Sequence, residues 1–268
     1  MERVAAFDVF LFDCDGVLFR GSSVIAGAPE VVRRLGELGK RVFFVTNNAT
    51  KSRKDNVSKL VELGIPARPE QVICSSFSAA AFASSRSFRR AFVIGESGLH
   101  DELAAAGLAT TSEVGGGERC DVVVVGLDRQ FSYAKMAAAL EQIQGGAEFV
   151  ATNRDATYPS DGGRMLPGAG SVVAALETCS GRVPLTTGKP SEWFVQFVRG
   201  LVAAEPAHCL MVGDRLDTDV AFGRLAGFQT LLVTGTGVHG TAHAEAAPEH
   251  QRPHHMAASV ADLLQHLK

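Results

Sequence analysis

The stretch FLFDCDGVLF, residues 10–19, places two aspartates, Asp13 and Asp15, at the end of a strongly apolar segment. A continuous apolar run of this kind is typical of a strand that is buried on both faces of a parallel sheet. The last side chains of such a strand lie at the carboxyl edge of the sheet, where open α/β sheets bind ligands. Two interpretations remain open at this point, which are a polar turn after a buried strand and a reaction centre.

Strand-like and helix-like segments alternate along the whole chain. Apolar runs at 41–47, 208–214 and 230–235 predict further strands, and 28–39 and 52–64 carry apolar residues at helical spacing. This order favours an α/β fold with a doubly wound, Rossmann-like parallel sheet that is covered by helices on both faces.

Two polar, turn-rich stretches divide the chain. SSRSFRR (84–90) and SGRVP (180–184) flank a middle block that has its own alternation of strands and helices. We therefore predict a catalytic core formed by residues 1–86 and 185–268, with an inserted α/β domain at 87–184.

Composition excludes several classes of function. The chain has 26 basic and 29 acidic residues, a net charge of −3, which favours neither nucleic acid nor a membrane surface as a partner. Five cysteines without a C-x-x-C pair are typical of reduced thiols. No signal peptide and no apolar run long enough to span a membrane is visible, so we expect a soluble cytoplasmic protein.

Polar residues follow four of the predicted strands, and they fit phosphoryl transfer. Each alone is typical of a turn or helix start, but together they supply carboxylates, small donors and a lysine at one sheet edge. Asp13 and Asp214 are hard oxygen ligands that suit Mg²⁺, which a carboxylate nucleophile needs against an anionic phosphate. In this interpretation Asp13 attacks phosphorus and Asp15 transfers protons. The phosphate would be held by Thr46, Asn47, Asn48 and Lys189.

Four segments in this order resemble the motifs of the haloacid dehalogenase superfamily of phosphatases. They are F-D-C-D-G-V-L, V-T-N-N-A-T-K-S-R, G-K-P-S and V-G-D-R-L-D-T-D. The long insert between the second and third motifs resembles the subgroup with a large α/β cap, which includes p-nitrophenyl phosphatases and phosphatases for 2-phosphoglycolate, pyridoxal phosphate and nucleotides. The resemblance implies a fold with a capped core and a homodimer formed through the cap.

The resemblance also implies a role for each matching residue. Asp13 is then the nucleophile and a magnesium ligand, and Asp15 is the general acid/base whose backbone carbonyl is a second ligand. Asp214 is the third protein ligand, and Asp219 is an outer carboxylate near the metal.

The cap of this subgroup contacts the leaving group through one loop, and ATNRDATYPSDGGRMLPGAGS (151–171) matches it. A solvated loop whose Asn and Asp only form turns is the alternative. The candidate contacts are Asn153, Asp155, Tyr158 and Arg164. We expect 2-phosphoglycolate as the natural substrate and p-nitrophenyl phosphate as an artificial one. Pyridoxal phosphate comes second, because its branch carries a histidine in place of Tyr158, and nucleoside monophosphates come third.

Two other classes of protein stay open. A phosphotransferase or mutase is disfavoured because residues 17–40 are too short for the helical cap of such enzymes. A non-catalytic binding protein is disfavoured because it would not need the full set of Asp13, Asp15, Lys189 and Asp214.

The C-terminal region carries two further patterns. TGTGVHG (234–240) contains G-x-G-x-x-G, but we expect a loop after it with no helix and no second strand, which argues against a dinucleotide site. We expect that loop to carry its histidines in solvent rather than on zinc. They are His239, His243, His250, His254 and His255. Cys14 lies between two candidate catalytic residues, and we hypothesise that its oxidation would inactivate the enzyme.

Overall fold

The computed structural model describes residues 4–115, 118–159, 164–235 and 238–267. Its strands, in chain order, are β1 (Val9–Phe12), β2 (Phe19–Arg20), β3 (Ser23–Val24), β4 (Arg41–Thr46), β5 (Val72–Cys74), β6 (Arg90–Ile94), β7 (Ala109–Thr111), β8 (Val122–Val125), β9 (Glu148–Ala151), β10 (Thr157–Pro159), β11 (Met165–Pro167), β12 (Leu185–Thr186), β13 (Cys209–Gly213), β14 (Gln229–Val233) and β15 (His255–Ala257).

The α-helices are α1 (Ala28–Glu37), α2 (Arg53–Glu62), α3 (Ser75–Ser85), α4 (Ser97–Ala105), α5 (Tyr133–Gln144), α6 (Ala169–Ser180), α7 (Glu192–Val202), α8 (Ala221–Ala226) and α9 (Thr241–Ala246). A five-residue π-helical turn, Leu216–Val220, precedes α8. None of the helices that the structure describes is long and apolar enough to cross a membrane.

The chain divides into two compact units. The first comprises residues 1–46, 57–73 and 189–268, and the second comprises residues 47–56 and 74–188.

The first unit is built on a six-stranded sheet in the order β15-β14-β13-β1-β4-β5. β1 lies in its middle and pairs in parallel with both β13 and β4. All four residues of β1 are buried, because alternate side chains enter hydrophobic clusters on opposite faces. Phe10 and Phe12 pack in the cluster that contains residues of α1, whereas Val9 and Leu11 pack in the cluster that contains residues of α7. This arrangement confirms the predicted doubly wound parallel fold.

The second unit has a five-stranded sheet in the order β12-β9-β8-β6-β7, with parallel pairing throughout. Its core is formed by buried side chains of β6, β8 and β9 and of helices α5 and α6. A separate antiparallel pair, β10 and β11, lies in the segment between β9 and α6.

The predicted loop after TGTGVHG, with no helix and no second strand, was wrong. Residues 241–246 form helix α9, which contains His243, and residues 255–257 form β15, which pairs in parallel with β14. Both elements are too short to show a periodic pattern of apolar residues in the sequence. Helix α9 has six residues and β15 has three. Gly237 of the G-x-G-x-x-G pattern lies outside the described residues.

Candidate active site

Asp13 directly follows β1 and stays tied to the central sheet. Its backbone N–H donates to the carbonyl of Val212 at 2.8 Å, which continues the parallel ladder to β13 by one residue. Only 8% of Asp13 is exposed. A carboxylate at the end of a doubly buried strand is therefore held rigidly at the carboxyl edge of the first unit's sheet.

Lys189 is the cation that balances this carboxylate. Its Nζ donates to Oδ1 of Asp13 at 2.7 Å, to Oδ1 of Asp219 at 2.7 Å and to the carbonyl of Val45 at 2.8 Å. Lys189 is only 2% exposed, so these contacts replace the water that an ammonium ion would otherwise bind. The lysine thus links the ends of β1 and β4 to the turn that follows β13.

Asp219 is positioned by the π-helical turn that follows the end of β13. Its Oδ2 accepts hydrogen bonds from the backbone N–H groups of Asp214 and Arg215, both at 3.1 Å. Because its Oδ1 bonds Lys189, both oxygens have protein partners. The role of Asp219 as an outer carboxylate near the metal stays a prediction.

Asp214 completes a cluster of three acids. Its Oδ2 accepts from the backbone N–H of Val238 at 2.9 Å. Gly16 has a φ of +89°, and a Cβ there would lie 2.4 Å from the same oxygen, so only glycine fits beside Asp214. One carboxylate oxygen of each of Asp13, Asp214 and Asp219 lies within 4.8 Å of the others.

Burial and mutual repulsion disfavour the ionised forms of the acids in this cluster. Burial raises the pKa of Asp13 well above its ordinary value, although Lys189 opposes the shift. Burial, reinforced by Asp219, raises the pKa of Asp214 to about 7. Burial disfavours the ammonium form of Lys189, but Asp13 and Asp219 outweigh it and raise its pKa. Three buried carboxylates facing one ammonium leave negative charge without compensation, which a bound cation would offset.

The donor set fits Mg²⁺. Carboxylate oxygens are the hard ligands that this ion prefers, and neither sulfur nor imidazole belongs to the cluster. Across the described parts of the chain, these three aspartates are the one group of His, Cys, Asp or Glu side chains close enough together to hold a metal ion.

Asp15 and Cys14 follow Asp13 in the same loop. Burial raises the pKa of Asp15, against the lowering effect of Lys59, whose Nζ lies 3.6 Å from the ring centroid of Phe19. Burial also raises the pKa of the Cys14 thiol well above its ordinary value, and Asp13 and Asp15 add to the effect. A buried thiol that resists ionisation is a poor nucleophile, and inactivation by oxidation of Cys14 stays a prediction.

Thr46, Asn47 and Asn48 begin the second motif. Thr46 is the buried last residue of β4. The Oδ1 of Asn48 accepts from the N–H of Thr50 at 2.9 Å and from its hydroxyl at 2.7 Å, which is an Asx-type turn. Asn47 belongs to the second unit, where its Nδ2 donates to the carboxylate of Asp155 at 3.1 and 3.3 Å.

The predicted cap loop is partly described, since residues 160–163 lie outside the described part of the chain. Asn153 is buried. Its Nδ2 donates to the carbonyl of Asn47 and the hydroxyl of Thr152, and its Oδ1 accepts from the N–H of Asp155. Tyr158 is half-buried and Arg164 is exposed.

Sequence reasoning missed two residues near Tyr158. Arg129 donates through Nε to the Tyr158 hydroxyl at 3.4 Å and through Nη1 to Oε2 of Glu96 at 3.0 Å. Both missed residues follow strands of the second unit's sheet, Glu96 after β6 and Arg129 after β8. Their positions after predicted strands were therefore the sequence feature that could have identified them as candidates.

Two family models match separate segments of the chain. The model for haloacid dehalogenase-like hydrolases matches residues 10–109, and a second model for hydrolases of this type matches residues 186–263. Mouse chronophin is 40% identical over 270 residues, which cover 96% of this chain and 92% of that protein.

Two further relatives carry the names of phosphatases. The chloroplastic phosphoglycolate phosphatase 1A of Arabidopsis thaliana is 36% identical over 283 residues, covering 98% of this chain and 78% of that protein. The glycerol phosphate phosphatase of Mycobacterium tuberculosis, solved in complex with magnesium, superposes with a TM-score of 0.86 at 36% identity, covering 97% of this chain and 77% of that one. The chain therefore belongs to the haloacid dehalogenase-like hydrolase family and is a phosphoric monoester hydrolase.

Proposed function

We propose that the chain is a Mg²⁺-dependent phosphatase of small metabolites that uses Asp13 as its nucleophile. The single observation that carries the proposal is the buried contact of Lys189 with both Asp13 and Asp219, beside Asp214. A structural ion pair would not need a third buried acid next to it, because the charge of that acid adds repulsion to the pair.

The metal would be held by Asp13, by Asp214 and by the backbone carbonyl of Asp15. When bound, Mg²⁺ supplies positive charge that offsets the negative charge of the phosphate oxygens. The solved relative that contains magnesium supports this choice of ion.

Asp13 forms the new bond. Its carboxylate oxygen attacks phosphorus, the bond from phosphorus to the leaving oxygen breaks, and an aspartyl-phosphate results. Lys189 keeps this carboxylate oriented through the hydrogen bond to Oδ1. The same ammonium adds positive charge beside the phosphoryl group.

Asp15 moves the protons. As a carboxylic acid it protonates the leaving oxygen in the first step, and as a carboxylate it takes a proton from the water that attacks the aspartyl-phosphate. Cleavage of the bond between Asp13 and phosphorus then releases inorganic phosphate. Burial of Asp15 favours the protonated form that the first step needs.

Thr46, Asn47 and Asn48 are proposed, with Lys189, to bind the phosphoryl oxygens. Residues 87–184 are proposed to act as the cap that selects the leaving group, with Tyr158 and Arg164 as contacts. We also propose a cytoplasmic homodimer formed through the cap, as the resemblance implies.

We propose 2-phosphoglycolate as the natural substrate. The relative from Arabidopsis thaliana is named for it, which supports a small anionic leaving group. Pyridoxal phosphate and nucleoside monophosphates are the alternatives.

The test is phosphate release by the purified chain in Mg²⁺ from p-nitrophenyl phosphate, 2-phosphoglycolate, glycerol phosphate, pyridoxal phosphate and nucleoside monophosphates. We expect the largest kcat/KM for 2-phosphoglycolate, loss of all turnover in EDTA and its return with Mg²⁺. Asp13→Asn should abolish turnover while the chain stays folded, because Lys189 keeps Asp219 as a partner, and thermal unfolding checks the fold. Turnover retained by that variant would overturn the nucleophile, and activity resistant to EDTA would overturn the metal.

A further inference from the structure

The second unit contains a hydrogen-bond network between two motifs that lie far apart in the sequence. Nδ2 of Asn47 donates to both carboxylate oxygens of Asp155, at 3.1 and 3.3 Å, although 108 residues separate them. Asn47 is 7% exposed and Asp155 is half-buried. A hydrogen bond to an ionised acceptor in such a position is stronger than one between neutral groups.

Asn153 joins the same two residues through their backbone groups. Its Nδ2 donates to the backbone carbonyl of Asn47 at 2.7 Å, and its Oδ1 accepts from the N–H of Asp155 at 3.1 Å. The hydroxyl of Ser75 also donates to the carbonyl of Asn47, at 2.6 Å. Both the main chain and the side chain of Asn47 are therefore held by neighbouring groups.

Close packing against two glycines also restricts the positions of Asp155 and Asn47. A Cβ at Gly168 would lie 2.2 Å from the carbonyl oxygen of Asp155, and one at Gly188 would lie 2.7 Å from Oδ1 of Asn47. The N–H of Gly170 donates to the carbonyl of Asp155 at 2.9 Å. These backbone contacts do not use the Asp155 side chain, so they would remain after its removal.

The carboxylate decides which way the Asn47 amide points. With the amide reversed, Oδ1 would face two carboxylate oxygens, and three acceptors would meet without a hydrogen. With Nδ2 towards Asp155, the amide donates to a charged acceptor, which fixes the position of its nitrogen. The orientation of Asn47 is thus set by a residue of the loop that sequence reasoning assigned to the leaving group.

We propose that Asp155 is a positioning residue for the phosphate-binding motif, which orients the Asn47 amide and does not contact the leaving group. The inference rests on the proposed role of Asn47 in phosphate binding. Its consequence is that the loss of Asp155 weakens binding of any phosphate, whatever group the phosphate carries.

Inorganic phosphate is the probe that separates the two roles, because it has no leaving group. The quantities to measure are the inhibition constant of phosphate and kcat/KM for p-nitrophenyl phosphate and 2-phosphoglycolate. The variants are Asp155→Ala, Asp155→Asn, Asn47→Ala and the double alanine variant. Asp155→Ala should raise the phosphate inhibition constant about tenfold and lower kcat/KM equally for both substrates. Asp155→Asn keeps an acceptor oxygen and should stay within about threefold of the wild type.

The double variant tests whether the two residues act together. After Asn47→Ala, adding Asp155→Ala should change the phosphate inhibition constant by less than about twofold, because no amide remains to orient. The matched control is Glu177→Ala, which removes the 2.9 Å ion pair of Glu177 with the neighbouring Arg154 and should change neither constant. Asp155→Ser replaces Asp155→Ala if thermal unfolding shows that the alanine variant is not folded.

Two results would overturn the inference by itself. In the first, Asn47→Ala raises the phosphate inhibition constant but Asp155→Ala leaves it unchanged. In the second, Asp155→Ala lowers kcat/KM for only one of the two substrates. An unchanged constant in Asn47→Ala would instead overturn the proposed phosphate-binding role and the inference together.

Discussion

Two aspartates that follow strands of parallel sheets are held in different ways. Asp13, after β1, bonds a buried ammonium group that also bonds a second buried acid. Asp155, after β9, bonds the neutral amide of Asn47 and is half-buried. The first arrangement depends on charge balance in a site with little water, so loss of one partner leaves a buried charge unpaired. In the second arrangement, water can solvate Asp155 after the loss of Asn47, so that loss lowers the free energy of unfolding less.

The largest effect is expected at the charged arrangement. Lys189→Met should abolish turnover and lower the free energy of unfolding by about 3–5 kcal/mol, because Asp13 and Asp219 are left buried without their cation. Urea unfolding in EDTA measures this loss, since no added metal then replaces the ammonium group. Lys40→Met is the control: Lys40 pairs with the exposed Asp8 at 3.5 Å, so its loss should cost less than about 1 kcal/mol. Equal losses in the two variants would show that the contrast between buried and exposed charge is wrong.

A smaller loss is expected where the backbone approaches the acids. Gly16→Ala should lower the free energy of unfolding by about 1–3 kcal/mol and reduce turnover, because φ is +89° and the new Cβ meets Oδ2 of Asp214. Gly36→Ala is the matched control, since its Cβ would have no neighbour within 4 Å and it lies inside α1. That control should gain about 0.5–1 kcal/mol. Chemical denaturation of both variants gives the comparison, and a stable, active Gly16→Ala would contradict the tight packing argued for Asp214.

The charged arrangement was the part that the sequence could predict. Asp13 and Asp214 each follow an apolar strand of the first unit's sheet, and parallel strands bring such positions to one edge. Lys189 follows β12, which belongs to the second unit's sheet, so its place was indicated by the G-K-P-S motif and not by a shared sheet edge. The contact between Lys189 and Asp219 was not predicted, because it depends on the π-helical turn that directs Asp219 back towards the amide of Asp214. Local sequence does not distinguish that turn from the start of an ordinary helix.

The contact between Asn47 and Asp155 could not be predicted either. Both residues were identified as candidates, but only the folded second unit shows that they meet each other. Arg129 was missed because one arginine after a strand is common on protein surfaces. The errors at α9 and β15 have a different cause, since short elements depend on neighbours in space for their stability.

A third prediction concerns a single carboxylate outside the acid cluster. Asp55 and Ser52 form a capping box at the start of α2, with Oδ2 of Asp55 accepting from the Ser52 hydroxyl at 2.7 Å and from its N–H at 3.0 Å. These hydrogen bonds lower the pKa of Asp55, so their stabilising effect is full above its unfolded pKa and is lost as pH falls through its folded pKa. Asp55→Ala should cost about 1 kcal/mol at neutral pH. Urea unfolding at a series of pH values should show the difference from wild type shrinking as the pH falls below about 5. The control is Asp101→Ala, which removes an exposed acid on α4 and should change the free energy of unfolding at neutral pH by less than about 0.5 kcal/mol.

The smallest effect is expected at the half-buried Tyr158, and it decides whether the second unit selects the leaving group. If Tyr158 stacks on an aromatic leaving group, Tyr158→Ala should lower kcat/KM for p-nitrophenyl phosphate about three- to tenfold more than for 2-phosphoglycolate. Tyr158→Phe keeps the ring and loses only the hydroxyl that accepts from Arg129, so it should preserve the ratio of the two values. Equal losses for both substrates in Tyr158→Ala would count against a leaving-group contact. Asp155→Ala is expected to give equal losses, so the two variants together separate a residue that reads the leaving group from one that positions the phosphate-binding motif.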